Sequence, residues 1–397
     1  MLVVTAVMLL GLLGGITASQ LGGLRLGGVV IVPLFAVYTL RSLGTFPILL
    51  MSVVGSYVSV RIVKRRLLLY GRPVFVVAVV TGGLVPLLVY LFVTAGSGPR
   101  VVVSELGFIG SVLPGIAAYN LHRLPRDKRV VDALWSLALL LFLVVVGIGL
   151  VIGVGLTPLA TVAPPVLLAP ESDIARAFGL VVEGSAHPTI LPFPRELGLL
   201  GLGFFFSEVA RSRWGLRIGG LIVLPLLVLF VFRNAWLLPV FLLAATLATI
   251  GIQLLHSWTL VYGRALLSVG VIFGLLTVIS VVPVLPFGNG LLPFFTGILG
   301  GVGAYNVHVV APAERRPSVA VAAGVFVVLA GSARLVLTPL PGGLLEQVTP
   351  LHIAVGAVVL AVGARAGYRL EAARPSGTSW SPAAGSAERV HPEVPIL

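Results

Sequence analysis

The sequence contains no cysteine. Disulfide scaffolds, thiolate metal sites and cysteine nucleophiles are therefore excluded. Charge is also scarce: charged residues make up 10% of the chain, against roughly a quarter in soluble globular proteins. Lysine is nearly absent, with only Lys64 and Lys128, so arginine carries the basic character. No phosphate-cradling Gly-x4-Gly-Lys-Ser/Thr run occurs, and the glycines between Gly11 and Gly28 lie in an apolar stretch. A dinucleotide fingerprint needs a strand, turn and helix, and that context is missing. His122 and His308 stand at predicted helix ends, with no carboxylate or second histidine close in sequence. They read as interfacial caps and not as metal ligands. No catalytic constellation emerges, so no catalytic, cofactor or metal residue is assigned.

What the chain has is apolar length. Of 397 residues, 58% are apolar, and 48 glycines and 28 prolines accompany them. The mean hydropathy is +1.13. Such a chain cannot hide its apolar surface in water, which leaves an all-α polytopic membrane protein. A spanning helix needs about 20 apolar residues. Candidates fall at 1–18, 27–43, 45–63, 73–94, 105–121 and 131–155. A second set falls at 194–210, 218–233, 236–256, 265–285, 291–309 and 318–338, and one more at 349–369. The stretches 27–43 and 218–233 are short and carry Pro33 and Pro225, so they read as kinked or re-entrant. Residues 1–18 lack a basic leader and have a counterpart in the second set, so they read as a membrane helix and not as a signal peptide.

Domain organisation follows. Residues 1–155 form a first membrane repeat, and 156–193 a Pro-rich external linker. Residues 194–338 form a second repeat, 349–369 an extra transmembrane helix, and 370–397 a disordered cytoplasmic tail rich in Pro, Ser, Ala and Gly. The formal charge is +13. Alternating loops put all basic residues on one side except Arg41, Arg100, Arg176, Arg195, Arg233 and Arg334. The richer side is assigned to the cytoplasm, so the N-terminus lies outside, the C-terminus inside, and thirteen segments cross. The charge is read as topology, and a nucleic-acid partner is not expected.

The two repeats are copies. A shift of 192 aligns Gly23–Arg72 with Gly215–Arg264 without a gap, and 14 of the 50 positions are identical. The identities include Arg25/Arg217, Pro33/Pro225, Arg41/Arg233 and the block Tyr70-Gly71-Arg72 against Tyr262-Gly263-Arg264. Further on the shift is 186, where Tyr119-Asn120-Leu121-His122 meets Tyr305-Asn306-Val307-His308. Chance apolar similarity would match Leu and Val, not Arg, Pro and Tyr at a steady offset. Each unit has six crossings, an even number, so the repeats run parallel.

Three patches of the first copy resemble the PgsC/CapC family, the membrane subunit of poly-γ-glutamate synthase. They are the Gly-rich entry to Pro33 and Pro47, the block Leu69-Tyr70-Gly71-Arg72, and the stretch Glu105, Gly107, Gly110, Pro114-Gly115, Ala117, Asn120 and Arg123. The family unit has about the size of one repeat, so this chain looks like a fused pair. The second copy keeps the first two patches; Gly300-Gly301 stand where Pro114-Gly115 would be, and Leu291 replaces Glu105. The resemblance implies a non-catalytic subunit that anchors a cytoplasmic, Mur-ligase-like, ATP-dependent amide ligase and holds or passes an acidic capsule polymer. ATP and metal would then sit on the ligase, and this chain would need no cofactor.

Several residues are candidates for contact with the polyanion or the partner: Tyr70, Arg72, Tyr262 and Arg264 at a re-entry to the membrane, and Arg41 and Arg233 at an external tip. Arginine suits carboxylates because its planar fork binds both oxygens. The bland alternatives are tight turns and interface anchors. Glu105, Pro114, Gly115, Asn120 and Asn306 are candidates for a helix break or polar lining. Glu105 alternatively serves as a helix N-terminal carboxylate. Another function remains open, a secondary transporter or permease for a small solute built from two parallel halves, as does a scaffold with no transport. Few intramembrane acids or histidines are present to relay protons, which counts against a proton-coupled carrier.

Overall fold

The computed structural model describes residues 1–68, 72–95, 109–182, 193–219, 222–259 and 262–373. Among the described residues the regular structure is helical and no strand occurs. Six helices build the first repeat: α1 (Leu2–Gly22), α2 (Ile31–Arg41), α3 (Thr45–Arg66), α4 (Arg72–Ala95), α5 (Ile109–His122) and α6 (Arg126–Gly155). A short α7 (Asp173–Ala177) follows in the connecting segment. The second repeat contributes α8 (Phe193–Trp214), α9 (Val223–Arg233), α10 (Leu237–Thr259), α11 (Arg264–Val281), α12 (Leu291–Val309) and α13 (Pro312–Val336). The additional helix α14 (Pro350–Ala372) comes last. The offsets hold at the helix ends: both ends of α2 plus 192 give the ends of α9, and the start of α6 plus 186 gives the start of α13. Among the described residues seven helices are long and apolar enough to cross a membrane, and the protein is a multi-pass helical membrane protein.

By packing, the chain forms two compact units, Met1–Leu197 with Ile272–Ile298, and Gly198–Val271 with Leu299–Leu397. The division runs through α11 and α12 instead of following the repeats. In the first unit α1, α2 and α6 pack on one another, and α3, α4 and α5 form a second group of three. Every residue of α2 is buried, Arg41 included. The helix is also shorter than the 27–43 expected from hydropathy. Eleven residues rise about 16 Å, roughly half the hydrocarbon thickness.

The lead-in to this short helix is irregular backbone at 23–30, with positive φ at Gly23, Leu26, Gly27 and Gly28. Such backbone survives at membrane depth only when protein satisfies its polar groups. Asp132 of α6, fully buried, does this: its Oδ1 accepts from the N–H of Arg25 at 2.5 Å and of Leu26 at 2.8 Å. Its Oδ2 accepts from Gly27 N–H at 3.4 Å. Asn120 of α5 donates its amide to the Gly27 carbonyl at 3.0 Å.

Backbones approach closely at repeated points. A Cβ on Gly11 would collide with the ring of Pro33, and one on Gly203 with the ring of Pro225. A Cβ on Gly115 would collide with the Ala78 carbonyl of α4, and one on Gly301 with the Gly270 carbonyl of α11. Pro114 does not break its helix; α5 runs through it, because the Gly115 contact holds the helix against α4. In the second unit α9 packs on α13 and α10, and α13 on α14. The α13/α14 contact centres on Gly324 and Gly363, where small residues let helices meet in lipid. Arg213 and Trp214 at the end of α8 hold Glu371 of α14, Arg213 through one guanidinium edge, Nε at 2.9 Å and Nη2 at 2.8 Å.

Each unit also folds a following segment over the hairpin tip that follows its short helix. In the first, the linker is part of the core: Val166 to Ala169 and Ile174 are buried, and Asp173 accepts from Leu43 N–H at 3.0 Å. In the second, Leu340 and Leu344 donate to the carbonyls of Phe232 and Val231 at 3.0 and 2.7 Å. The tail beyond residue 373 and linker residues 183–192 lie outside the described residues.

Two predictions follow from these contacts. Gly115→Ala and Gly301→Ala each overpack a helix crossing and destabilise by about 1–3 kcal/mol, lowering the thermal midpoint of the detergent-purified protein. Gly149→Ala, where a Cβ meets nothing within 4 Å, leaves the midpoint unchanged or higher. Asp132→Asn and Asn120→Leu each strand backbone groups of the irregular segment, at about 1–3 kcal/mol; a midpoint equal to wild type in both would show that these side chains do not hold it.

Candidate functional site

The Tyr-Asn-x-His block ends α5 and α12. Asn120 and Asn306 both engage the carbonyl of the left-handed glycine before the short helix, Gly27 at 3.0 Å and Gly219 at 3.2 Å. Asn306 also donates to Val302 O at 3.0 Å. Both side chains are buried and hold the re-entrant backbone, so neither faces an open channel. Pro114 and Gly115 are likewise buried against α4. Glu105 and Tyr70 lie outside the described residues. Arg72 opens α4, and its side chain lies outside the described residues too.

The histidine that closes each block sits under an arginine that sequence reasoning passed over. Arg129 donates Nε to Leu124 O at 2.9 Å and a terminal nitrogen to His122 O at 3.1 Å. Arg315 does the same to Val310 O at 3.1 Å and His308 O at 2.8 Å. These arginines cap the orphan carbonyls of α5 and α12 and complement the negative helix end. Their common offset of 186 from each other was the available signal. His122 in turn lies 2.8 Å from Tyr57 O through Nε2 and stacks on the Tyr57 ring at 4.1 Å.

Around this cap the first unit gathers cations. The charges acting on His122 come from Lys64, Arg129 and Arg61, and those acting on Lys64 from Arg129 and Arg123. The end of α3, the end of α5 and the start of α6 thus bring like charges together. Like charges at such range repel, and an anion held among them relieves the repulsion.

The second unit brings its two motifs together. Gly263 has φ 67, so the turn into α11 needs glycine, and it delivers exposed Tyr262 edge-on to His256 at 4.7 Å. His256 meets His308 at 5.2 Å, again edge to face. Arg217 and Arg264 both act on Tyr305, whose buried hydroxyl has no hydrogen-bond partner among the described residues. Burial, and then the neighbouring Arg211, pushes the Arg217 guanidinium below its ordinary value.

Arg41 and Arg233 behave differently from the cluster residues. Arg41 is buried, and its guanidinium lies 3.9 Å from Glu171 of the linker. Arg233 ends α9 and is half-buried. Arg41 therefore sits inside the first unit, facing a protein carboxylate, and not at an open tip.

A cavity of about 140 Å³ lies among α2, α3, α5 and α6 in the first unit. Its walls are apolar, with Phe35, Phe46, Leu49 and Leu140, and its charged wall residue is Asp132. Such a lining repels carboxylates, so the cavity does not suit an acidic polymer. Among the described residues no group of three or more His, Asp or Glu is placed to hold a metal ion.

No curated protein and no solved structure matches the chain. The family described as capsule biosynthesis CapC matches it twice, at residues 10–130 and 202–316. These two segments cover both cap arginines, both Tyr-Asn-x-His blocks and both short helices, and together they span more than half of the sequence. The chain therefore belongs to the CapC capsule-biosynthesis family and carries the family unit twice.

Proposed function

We propose that this protein is the membrane subunit of a complex that makes and exports poly-γ-glutamate or a closely related polycarboxylate. The observation that carries this reading is the double family match joined to cation clusters at the ends of the matched helices. A polycarboxylate is the natural occupant of such ends, because each carboxylate accepts from guanidinium groups that otherwise repel one another.

In this reading the N-terminus is outside and the C-terminus cytoplasmic, with the basic helix ends facing the cytoplasm. A soluble Mur-ligase-like amide ligase docks there. It activates a side-chain carboxylate as an acyl phosphate and extends the chain, and its ATP and metal stay with it. The membrane subunit contributes anchorage and a cationic landing for the product through Arg61, Lys64, Arg123, Arg72, Tyr70, Tyr262 and Arg264. The repeats 1–155 and 194–338 serve as two copies of one polymer-handling element, and α14 and the tail are additions to them.

The test is co-purification. A C-terminally tagged chain, gently solubilised from its native host, should bring an ATP-binding amide ligase with it. Recovery of the chain alone, monodisperse, and catalysing solute uptake in vesicles would overturn the reading in favour of a permease. In cells, Arg72→Ala combined with Arg264→Ala should lower polymer yield several-fold at unchanged protein level; unchanged yield would remove these arginines from the function.

A further inference from the structure

The first unit has a seam where its two groups of three helices meet. The cavity of about 140 Å³ lies in that seam, with α3 on one side and α6 on the other. Helices α2 and α5 form its floor, where Ile31, Val32, Phe35 and Ala117 are buried. Its mouth is rimmed by Leu50 of α3 and by Ala133 and Leu137 of α6, all exposed. Both α3 and α6 are long and apolar enough to cross a membrane, so an opening between them faces hydrocarbon and not water.

Nothing in the walls suits a polar occupant. Asp132 directs its carboxylate oxygens to the N–H groups of Arg25, Leu26 and Gly27. Ser136 donates its hydroxyl to the Asp132 carbonyl at 2.7 Å. The other lining side chains are apolar. A buried water needs about two to four polar partners, and an apolar cavity of about 150 Å³ stays dry yet takes benzene or xenon.

The second copy fills the matching space with a side chain of its own. The offset of 192 turns Ile31 and Leu49 into Val223 and Phe241, and the offset of 186 turns Ala117 into Gly303. There the Phe241 ring comes within 3.6 Å of the point where a Cβ on Gly303 would stand, and Val223 within 3.8 Å of the same point. In the first copy Leu49 is smaller, and the space beside Ile31 and Ala117 stays open.

We propose that the seam of the first unit binds one acyl chain of a membrane phospholipid, which enters sideways between α3 and α6 and lies against α2. Acyl chains crowd every opening that faces the bilayer, at a concentration no other hydrocarbon there reaches. Once seated, the chain keeps water from the bonds between Asp132 and the irregular backbone. It fills beside α2 the space that a protein side chain fills in the second copy. The inference rests on the membrane fold and not on the polymer-handling role.

The test uses the full chain reconstituted in phosphatidylcholine vesicles that contain a small fraction of phosphatidylcholine with a diazirine midway along one acyl chain. After illumination, labelled peptides are read by mass spectrometry. Label is expected on the buried floor, at Val32, Phe35 or Ala117, as well as on the exposed Leu134 and Leu141 of α6, which report the surrounding lipid. Leu49→Phe, which installs the second copy's residue, should lower floor label several-fold and leave Leu134 and Leu141 labelled as before. Leu137→Trp obstructs the exposed mouth without entering the core, and should lower floor label as well; an unchanged elution profile certifies the fold of each variant. A wild-type floor without label overturns the proposal, since the seam is then closed or covered by protein. Floor label equal in wild type and both variants overturns it too, because the tail then does not enter through the seam. Floor label abolished by a polyprenyl phosphate at a few per cent of the lipid overturns the phospholipid assignment in favour of an isoprenoid tail.

Discussion

An eleven-residue helix cannot cross a bilayer, and the rest of this structure is arranged around that shortfall. Helix α2 covers about half of the hydrocarbon thickness. Its lead-in is irregular backbone, whose N–H and C=O groups would each cost several kcal/mol in lipid if left unmet. Some are met by backbone turns, such as Gly28 N–H on the Arg25 carbonyl, and others by one amide on α5 and one carboxylate on α6. This explains why α2 is buried on every side. A half-helix with an irregular lead-in has no face that lipid can tolerate near its start, so α1 and α6 must enclose it. The charge of Asp132 becomes intelligible in the same way. A buried carboxylate is costly when isolated, and here three backbone donors surround it.

Enclosure of this kind demands close packing, and the glycines supply it. In lipid there is no hydrophobic drive between helices, so association rests on contact area and on small residues. Gly11 lies under Pro33, and Gly203 under Pro225. Gly115 meets the carbonyl of Ala78, and Gly301 that of Gly270. The same four positions recur at the two repeat offsets, which ties the duplication to packing geometry and not to sequence similarity alone. With α4 and α5 locked backbone to backbone, the ends of α3, α5 and α6 are fixed, and so is the position of the cations they carry.

Much of this was legible in the sequence, and what was not has physical causes. The offsets of 192 and 186 were readable because Arg, Pro, Tyr and Asn do not match by chance in an apolar background, and they hold at the helix ends. The short helices were readable as exceptions from length and proline. Asp132 was not, since one acid within an apolar helix has no periodic signal; its meaning lies in a loop more than a hundred residues away. Arg129 and Arg315 were hidden among other basic residues, and only their hydrogen bonds separate caps from topology signals. Pro114-Gly115 suggested a break because proline removes a donor, but the adjacent glycine turns the site into a helix crossing. Arg41 was read at the tip of a hairpin, and the Pro-rich linker, read only as a connection between repeats, brings Glu171 to it.

The duplication has an electrostatic consequence that composition cannot reveal. Two separate copies of one chain must carry the same residue at every position, so any internal anion is present in both or in neither. A fused pair is free of that constraint. Here the first copy keeps Asp132 beside the backbone of Arg25, and the second has Ser318 beside Arg217. The hydrogen-bonding duty survives in altered form, while one unit of negative charge is removed from beside a half-buried arginine. Charge in a low-dielectric setting must be balanced nearby or left exposed to water. The first copy spends a buried carboxylate on the backbone of its irregular segment; the second holds the equivalent backbone with a neutral hydroxyl.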